Sequence, residues 1–253
     1  MRALIALALV SACATDPRAQ AADPDDWAVP HAPWYEPQPE PPIPARLKDP
    51  AAARYHMRRH FDDLRMIEQL LVAGRLDEGL ALSYLLARKT EDAGLAPWDD
   101  HADRVITSAS ELMKAPGLDE ALRREARVGV ECAKCHVAAQ SLPVFGAVPP
   151  LPPDRQTAQS RMARHVWAVD RLWEGLIGAD DSRWSRGLAV LADNPIPLPP
   201  RSDAPAIAAQ LQQRARAQLA ARPTTSLDDR GAAYGEMLVQ CAACHASLHV
   251  NVP

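Results

Sequence analysis

The chain repeats itself. Met57-Arg58-Arg59-His60-Phe61 returns as Met162-Ala163-Arg164-His165-Val166, an offset of 105 residues. Cys132-Ala133-Lys134-Cys135-His136 returns as Cys241-Ala242-Ala243-Cys244-His245, an offset of 109. Apolar positions correspond between these landmarks: Phe61 with Val166, Leu64 with Val169, Ile67 with Leu172, Leu71 with Leu176. A unit of about one hundred residues is one ordinary domain, so the duplication sets the plan of the molecule. The spacing is helical throughout. Met57, His60, Phe61, Leu64, Ile67 and Leu71 fall on one stripe of a 3.6-residue period. No alternating apolar run demands a strand. The expectation is an all-α chain of two tandem four-helix bundles, each with a Cys-x-x-Cys-His motif on its last helix.

Punctuation places the helices. In the first repeat they are expected over about 51–73, from near Asp77 to before Gly94, from Asp99 or Asp100 to Pro116-Gly117, and over about 119–139. In the second they are expected over about 155–177, 182–193, 204–221 and 227–249. Gly74 stops the first helix. Asp203 with Pro205 marks the start of the seventh. Ser226 with Asp229 forms a capping box at the eighth.

The Cys-x-x-Cys-His pattern has a chemical logic. Positions i, i+3 and i+4 share one face of a helix. Two thiols so placed reach the two vinyl groups along one porphyrin edge, and the following imidazole lies under the iron. Cys132, Cys135, Cys241 and Cys244 are therefore the expected attachment thiols of two covalent haem c groups, with His136 and His245 as proximal ligands. Half a zinc site or a redox-active dithiol would also carry Cys-x-x-Cys. The adjoining histidine, the duplication and an export signal weigh against both.

The first thirteen residues read as that signal. Met1-Arg2, an apolar run from Ala3 to Val10, and Ser11-Ala12-Cys13 give a basic start, an apolar core and small residues before a cut. Val10-Ser11-Ala12-Cys13 resembles the bacterial lipobox, which implies a lipid on Cys13. Ala14, rather than Asp, follows it and mildly favours the outer membrane. Residues 14–50 are rich in proline and aperiodic, as expected of a semi-rigid tether. A second proline-rich stretch, 141–154, is the expected linker between bundle 51–140 and bundle 155–253. The five cysteines are then accounted for by one lipid and four haem bonds. A net charge of −4 argues against a nucleic-acid-binding surface and mildly favours basic protein partners.

Only eight residues follow His245, so its sixth ligand must come from upstream. That order resembles the class II cytochromes c, the cytochrome c-prime family, whose four-helix bundles carry the motif on the last helix. The resemblance covers about 51–140 and 155–250. In an up-down-up-down bundle the first and last helices are antiparallel. Met57 and His60 would then approach the iron of His136, and Met162 and His165 that of His245. The resemblance favours Met57 and Met162 as distal ligands, with His60 and His165 as the alternative. Arg59 and Arg164 read as solvated helix face, with propionate pairing as the alternative. His249 reads as a surface histidine, and Trp167, Trp173 and Trp184 as packing. These features imply a lipid-anchored dihaem electron carrier on the periplasmic side of a bacterial membrane, exchanging electrons with redox proteins and not acting as an enzyme. A nitric oxide- or carbon monoxide-binding protein is the alternative, and a dihaem peroxidase a remoter one.

Overall fold

The computed structural model describes residues 50–88, 98–140, 142–143, 145–200, 202–221 and 226–249. The signal, the tether up to residue 49 and Cys13 lie outside them. The described residues form eight α-helices and no strand: α1 (Pro50–Val72), α2 (Leu76–Ser83), α3 (Asp99–Leu112), α4 (Leu118–Ala138), α5 (Ala158–Ile177), α6 (Asp181–Asp193), α7 (Ala204–Ala220) and α8 (Leu227–Leu248).

Most helix ends fall where the sequence puts them. At α1, Gly74 adopts a left-handed conformation with φ +79. Its N–H donates to the Leu71 carbonyl at 2.9 Å, and the Arg75 N–H donates to that of Leu70 at 2.8 Å. This is a Schellman ending. The same ending recurs at α5 with Ala179, φ +50, in the glycine's place. Ser226 and Asp229 form the expected capping box. A second box, Thr157 with Ser160, opens α5. Asp203 and Pro205 stand at the start of α7 as expected, although Asp203 makes no side-chain cap bond because its own backbone is already helical. One reading is corrected. α2 stops at Ser83 and passes into tight turns through Leu86, where the Leu85 and Leu86 N–H groups reach back only three residues.

The eight helices share one hydrophobic core, to which both halves contribute: Leu64, Ile67, Leu122 and Ala126 join Leu172, Trp173, Tyr234 and Leu238. Its centre is built from the first and last helix of each half, α1, α4, α5 and α8, with α2 and α3 attached on the α1/α4 side and α6 and α7 on the other. α4 and α8 run antiparallel. Arg123 pairs with Glu236 at 2.6 Å near one end, and Lys134 with Asp228 at 2.7 Å near the other. Gly231 and Gly235 face this seam. A Cβ at Gly235 would stand 3.0 Å from the Arg123 Cα, and one at Gly231 would run into Val130. Two helices can approach this closely only where a side chain is missing.

Residues 145–153 are packed against the second half. Phe145, Val148 and Leu151 lie on the core. The Trp167 indole donates to the Pro149 carbonyl at 3.0 Å, and Arg164 donates to that of Pro152 at 2.8 Å. Arg164 also reaches Asn194 Oδ1 at 3.2 Å, so the solvated-face reading is corrected for it. Its counterpart Arg59 does lie on an exposed face, 3.9 Å from Asp63. Trp173 and Trp184 are fully buried packing residues, as expected.

Candidate functional site: two Cys-x-x-Cys-His helix ends

Each motif occupies the last turns of a central helix. Because α4 and α8 are antiparallel, His136 and His245 lie at opposite ends of the seam. About 20 residues separate them along the paired helices, or about 30 Å at 1.5 Å per residue.

The thiols are free, with Cys244 buried and Cys132, Cys135 and Cys241 half-buried. Burial pushes Cys132 and Cys241 up to about 12, and raises Cys135 and Cys244 as well. Nucleophilic or redox-active dithiols need the opposite shift, toward the thiolate. A zinc site needs about four converging donors. Among the described residues, no three His, Cys, Asp or Glu side chains converge in that way.

The histidines have partners from across the molecule. His136 Nδ1 donates to the backbone carbonyl of Ile177, the last residue of α5, at 3.3 Å. At His245 the carbonyl of Val72, the last residue of α1, acts on the ring in the same sense, although the buried Nδ1 falls short of hydrogen-bond geometry. Val72 and Ile177 are equivalent by the offset of 105. The Schellman endings use the carbonyls one and two residues earlier and leave these last ones for the rings. The arrangement is crossed, since each half supplies the carbonyl for the other half's histidine. Burial lowers the pKa of both rings, and each carbonyl opposes that shift. A neutral imidazole held through Nδ1–H presents Nε2 as a metal donor.

The four distal candidates are placed less evenly. His165 is buried, with Nε2 donating to the Asn194 carbonyl at 2.9 Å. Its pKa is lowered by burial and, further down, by His245, so the two rings are within electrostatic reach. Near the other motif, Phe61 packs on Phe145 with ring centroids 6.0 Å apart. Phe145 lies against Gly178, beside Ile177 and its His136 contact. This brings the α1 segment carrying His60 toward the end of α4. His60 is half-buried and pushed down to about 4 by burial, then by His56 and Arg59. Met57 and Met162 are half-buried on the same helices.

Sequence reasoning passed over several participants. His56 packs against His60, with ring centroids 3.9 Å apart and the rings tilted by 54°. The spacing of four residues carried that signal. Arg104 on α3 stands 3.6 Å from Glu131 and acts on Cys135. The two crossed carbonyls have no side-chain signature. His249 is exposed, as expected, but it lines a cleft of about 250 Å³ with His245, Val72, Gly74 and Leu118.

Comparisons with protein-family models, with curated proteins and with solved structures find no match. Among the described residues no helix is long and apolar enough to cross a membrane.

Proposed function

We propose that the chain is a dihaem c-type cytochrome of the class II type, built as a tandem pair of four-helix bundles whose central helices share a core. It carries electrons on the periplasmic side of a bacterial membrane and is anchored there by lipid on Cys13. The observation that carries this reading is the crossed placement of two helix-ending carbonyls beside the motif histidines. In a chain with two Cys-x-x-Cys-His motifs, the His136 Nδ1 bonds a helix-terminal carbonyl, and the equivalent carbonyl stands beside His245. Such a partner fixes the tautomer of a metal-ligating imidazole. The protonated thiols and the lack of a converging donor set among the described residues also fit covalent attachment better than a dithiol or zinc site.

The residues present fit two haem groups. Cys132 and Cys135 would hold one and Cys241 and Cys244 the other, with His136 and His245 as the histidines that would bind their irons. A bound haem would supply a one-electron ferric/ferrous couple. The chain's own part is to fix the imidazoles, exclude water and set the sixth position. Met57 and Met162 remain the proposed distal ligands, with His60 and His165 as the alternative. His165 lies within electrostatic reach of His245 and, with Nε2 bonded to the Asn194 carbonyl, would offer Nδ1.

Intact mass after acid–acetone extraction tests attachment, and a gain of exactly two haem masses is expected. A gain of one or none overturns the reading. Low-temperature electron paramagnetic resonance tests the sixth position. Met57→Ala and Met162→Ala should each convert one low-spin iron to high spin. If His60→Ala and His165→Ala do so instead, the distal ligands are histidines. High-spin iron in the wild type would favour gas binding. Release of Cys13→Ser protein from membranes, with both haems retained, tests the anchor.

A further inference from the structure

The meeting point of α1, α4, α5 and α8 is charged. The Arg65 guanidinium donates to Glu68 at 2.6 Å and to Asp170. The Tyr234 hydroxyl donates to the other oxygen of Glu68 at 2.6 Å. Glu125 is 0% exposed, and neither of its carboxylate oxygens has a hydrogen-bond partner. The second oxygen of Asp170 is buried and unpartnered as well. Two carboxylates thus bond one guanidinium, and a third, Glu125, lies within its electrostatic reach with both oxygens left over.

These residues fall on the local two-fold relating the halves. Arg65 and Asp170 are equivalent by the offset of 105, and Glu125 and Tyr234 by that of 109. The cluster therefore lies between the two motifs. Glu125, two turns before Cys132 on α4, acts on that thiol, and Glu68 acts on Cys241.

An ionised carboxylate with no hydrogen bond is not tolerated in such a setting, so it holds a proton instead. Burial, and then Glu68, raise Glu125 well above the carboxylate range, while Arg65 opposes. Burial lifts Asp170 to about 7, against Arg65 and Arg171 and with Glu68 and Glu174. Of the facing groups, Glu174 is paired with Arg171 and Arg183, and Tyr234 holds its proton well past its usual range.

We infer that this cluster is a redox-linked proton site, in which the unpartnered carboxyl groups of Glu125 and Asp170 share one additional proton when an electron reaches either haem. The inference rests on the dihaem reading. A one-electron donor protein supplies the electron, which turns ferric iron ferrous. One carboxylate takes a proton from solvent and forms an O–H bond. Oxidation returns the electron to an acceptor and the proton to water. The coupling is Coulombic: removing a positive charge from a weakly screened interior raises the proton affinity of nearby carboxylates. Arg65, with its side chain 17% exposed, is the member of the ion pair nearest to water.

The test is a redox titration of the full-length protein from about pH 5.5 to 9, after the haem count is checked by mass. The wild-type midpoints should fall with rising pH, by at most about 59 mV per tenfold change in proton activity for a one-electron couple. Reduced-minus-oxidised infrared spectra should show a carboxylic acid band appearing on reduction. Glu125→Gln should flatten the pH dependence and remove or shift that band. Asp170→Asn is the second variant should the first fail to fold. Two haems with flat wild-type midpoints overturn the inference and leave the dihaem reading standing. So does a slope and band unchanged in both variants. A chain without two haems overturns both.

Discussion

The halves of this chain share a template and diverge where they touch. Position 65 is arginine and its counterpart 170 is aspartate, and the two are bonded to each other. Glu68 corresponds to Trp173, and Glu125 to Tyr234. On the axis of a symmetric pair, identical residues would confront each other: two arginines, or two glutamates. At 65 and 170 like is replaced by opposite charge, and at the other two pairs an acid faces the axis from one half only. Away from the axis the pattern differs. The crossed carbonyls, the Schellman endings and the Met-x-x-His segment recur in both halves. Duplicated residues are thus kept at the helix ends, where each copy has a site of its own, and differ where the copies share one space.

The largest test of this contrast is a core truncation at an axis position. Trp173→Ala should cost about 3–5 kcal/mol, as for other buried aromatic truncations. Because the halves share a core, denaturation followed by probes in α3 and in α7 should shift together. A shift confined to the α7 probe would mean that the halves unfold independently. Next comes the axis ion pair. Arg65→Met leaves Glu68 and Asp170 without their cation and should cost about 3–5 kcal/mol. The double variant Arg65→Met/Asp170→Leu should recover part of that loss in the same denaturant titration. No recovery would deny the pairing across the axis.

A smaller effect follows from Asp170 titration. Its folded pKa, about 7, lies above the unfolded value, so the folded state holds the extra proton. This contribution is complete below about pH 4 and is lost as pH rises through about 7. The stability difference between wild type and Asp170→Asn should therefore change across that window with a slope of up to about 1.4 kcal/mol per pH unit. A flat difference would show that Asp170 is an ordinary ionised carboxylate. The smallest contrast is between capped and uncapped helix starts. Ser226→Ala should cost about 1 kcal/mol, because it removes a cap bond. Asp203→Ala should stay within about 0.5 kcal/mol. Equal losses in thermal melts would contradict the cap geometry.

Much of the helix layout was legible because helix ends are local. Gly74, the Ser226–Asp229 box and the apolar stripe of α1 act within a few residues of themselves. The placement of both Cys-x-x-Cys-His segments at helix ends was legible for the same reason, since each is five consecutive positions of one helix. The seam between α4 and α8 was not legible. Gly231 and Gly235 read as two small residues on a helix, and only a partner helix gives their absent side chains a purpose. Nothing local to Arg65, Glu68 and Glu125 marks them as core. They are covered because α1 packs on α4 and α8 and reaches Asp170 of α5. Histidine partners that are backbone carbonyls leave no trace in residue identity.

The crossed carbonyls have a consequence for what one repeat would be by itself. Residues 50–140 carry the His136 ring but not Ile177, and the Val72 carbonyl but not His245. A lone repeat would be open at α1 and α4 and would lack one partner in each exchange. Two identical repeats placed about the same axis would close both exchanges, as an isologous dimer does. The chain is in this sense a dimer with its subunits joined. Joining them made the two surfaces separate stretches of sequence, free to become opposites, as Arg65 and Asp170 are.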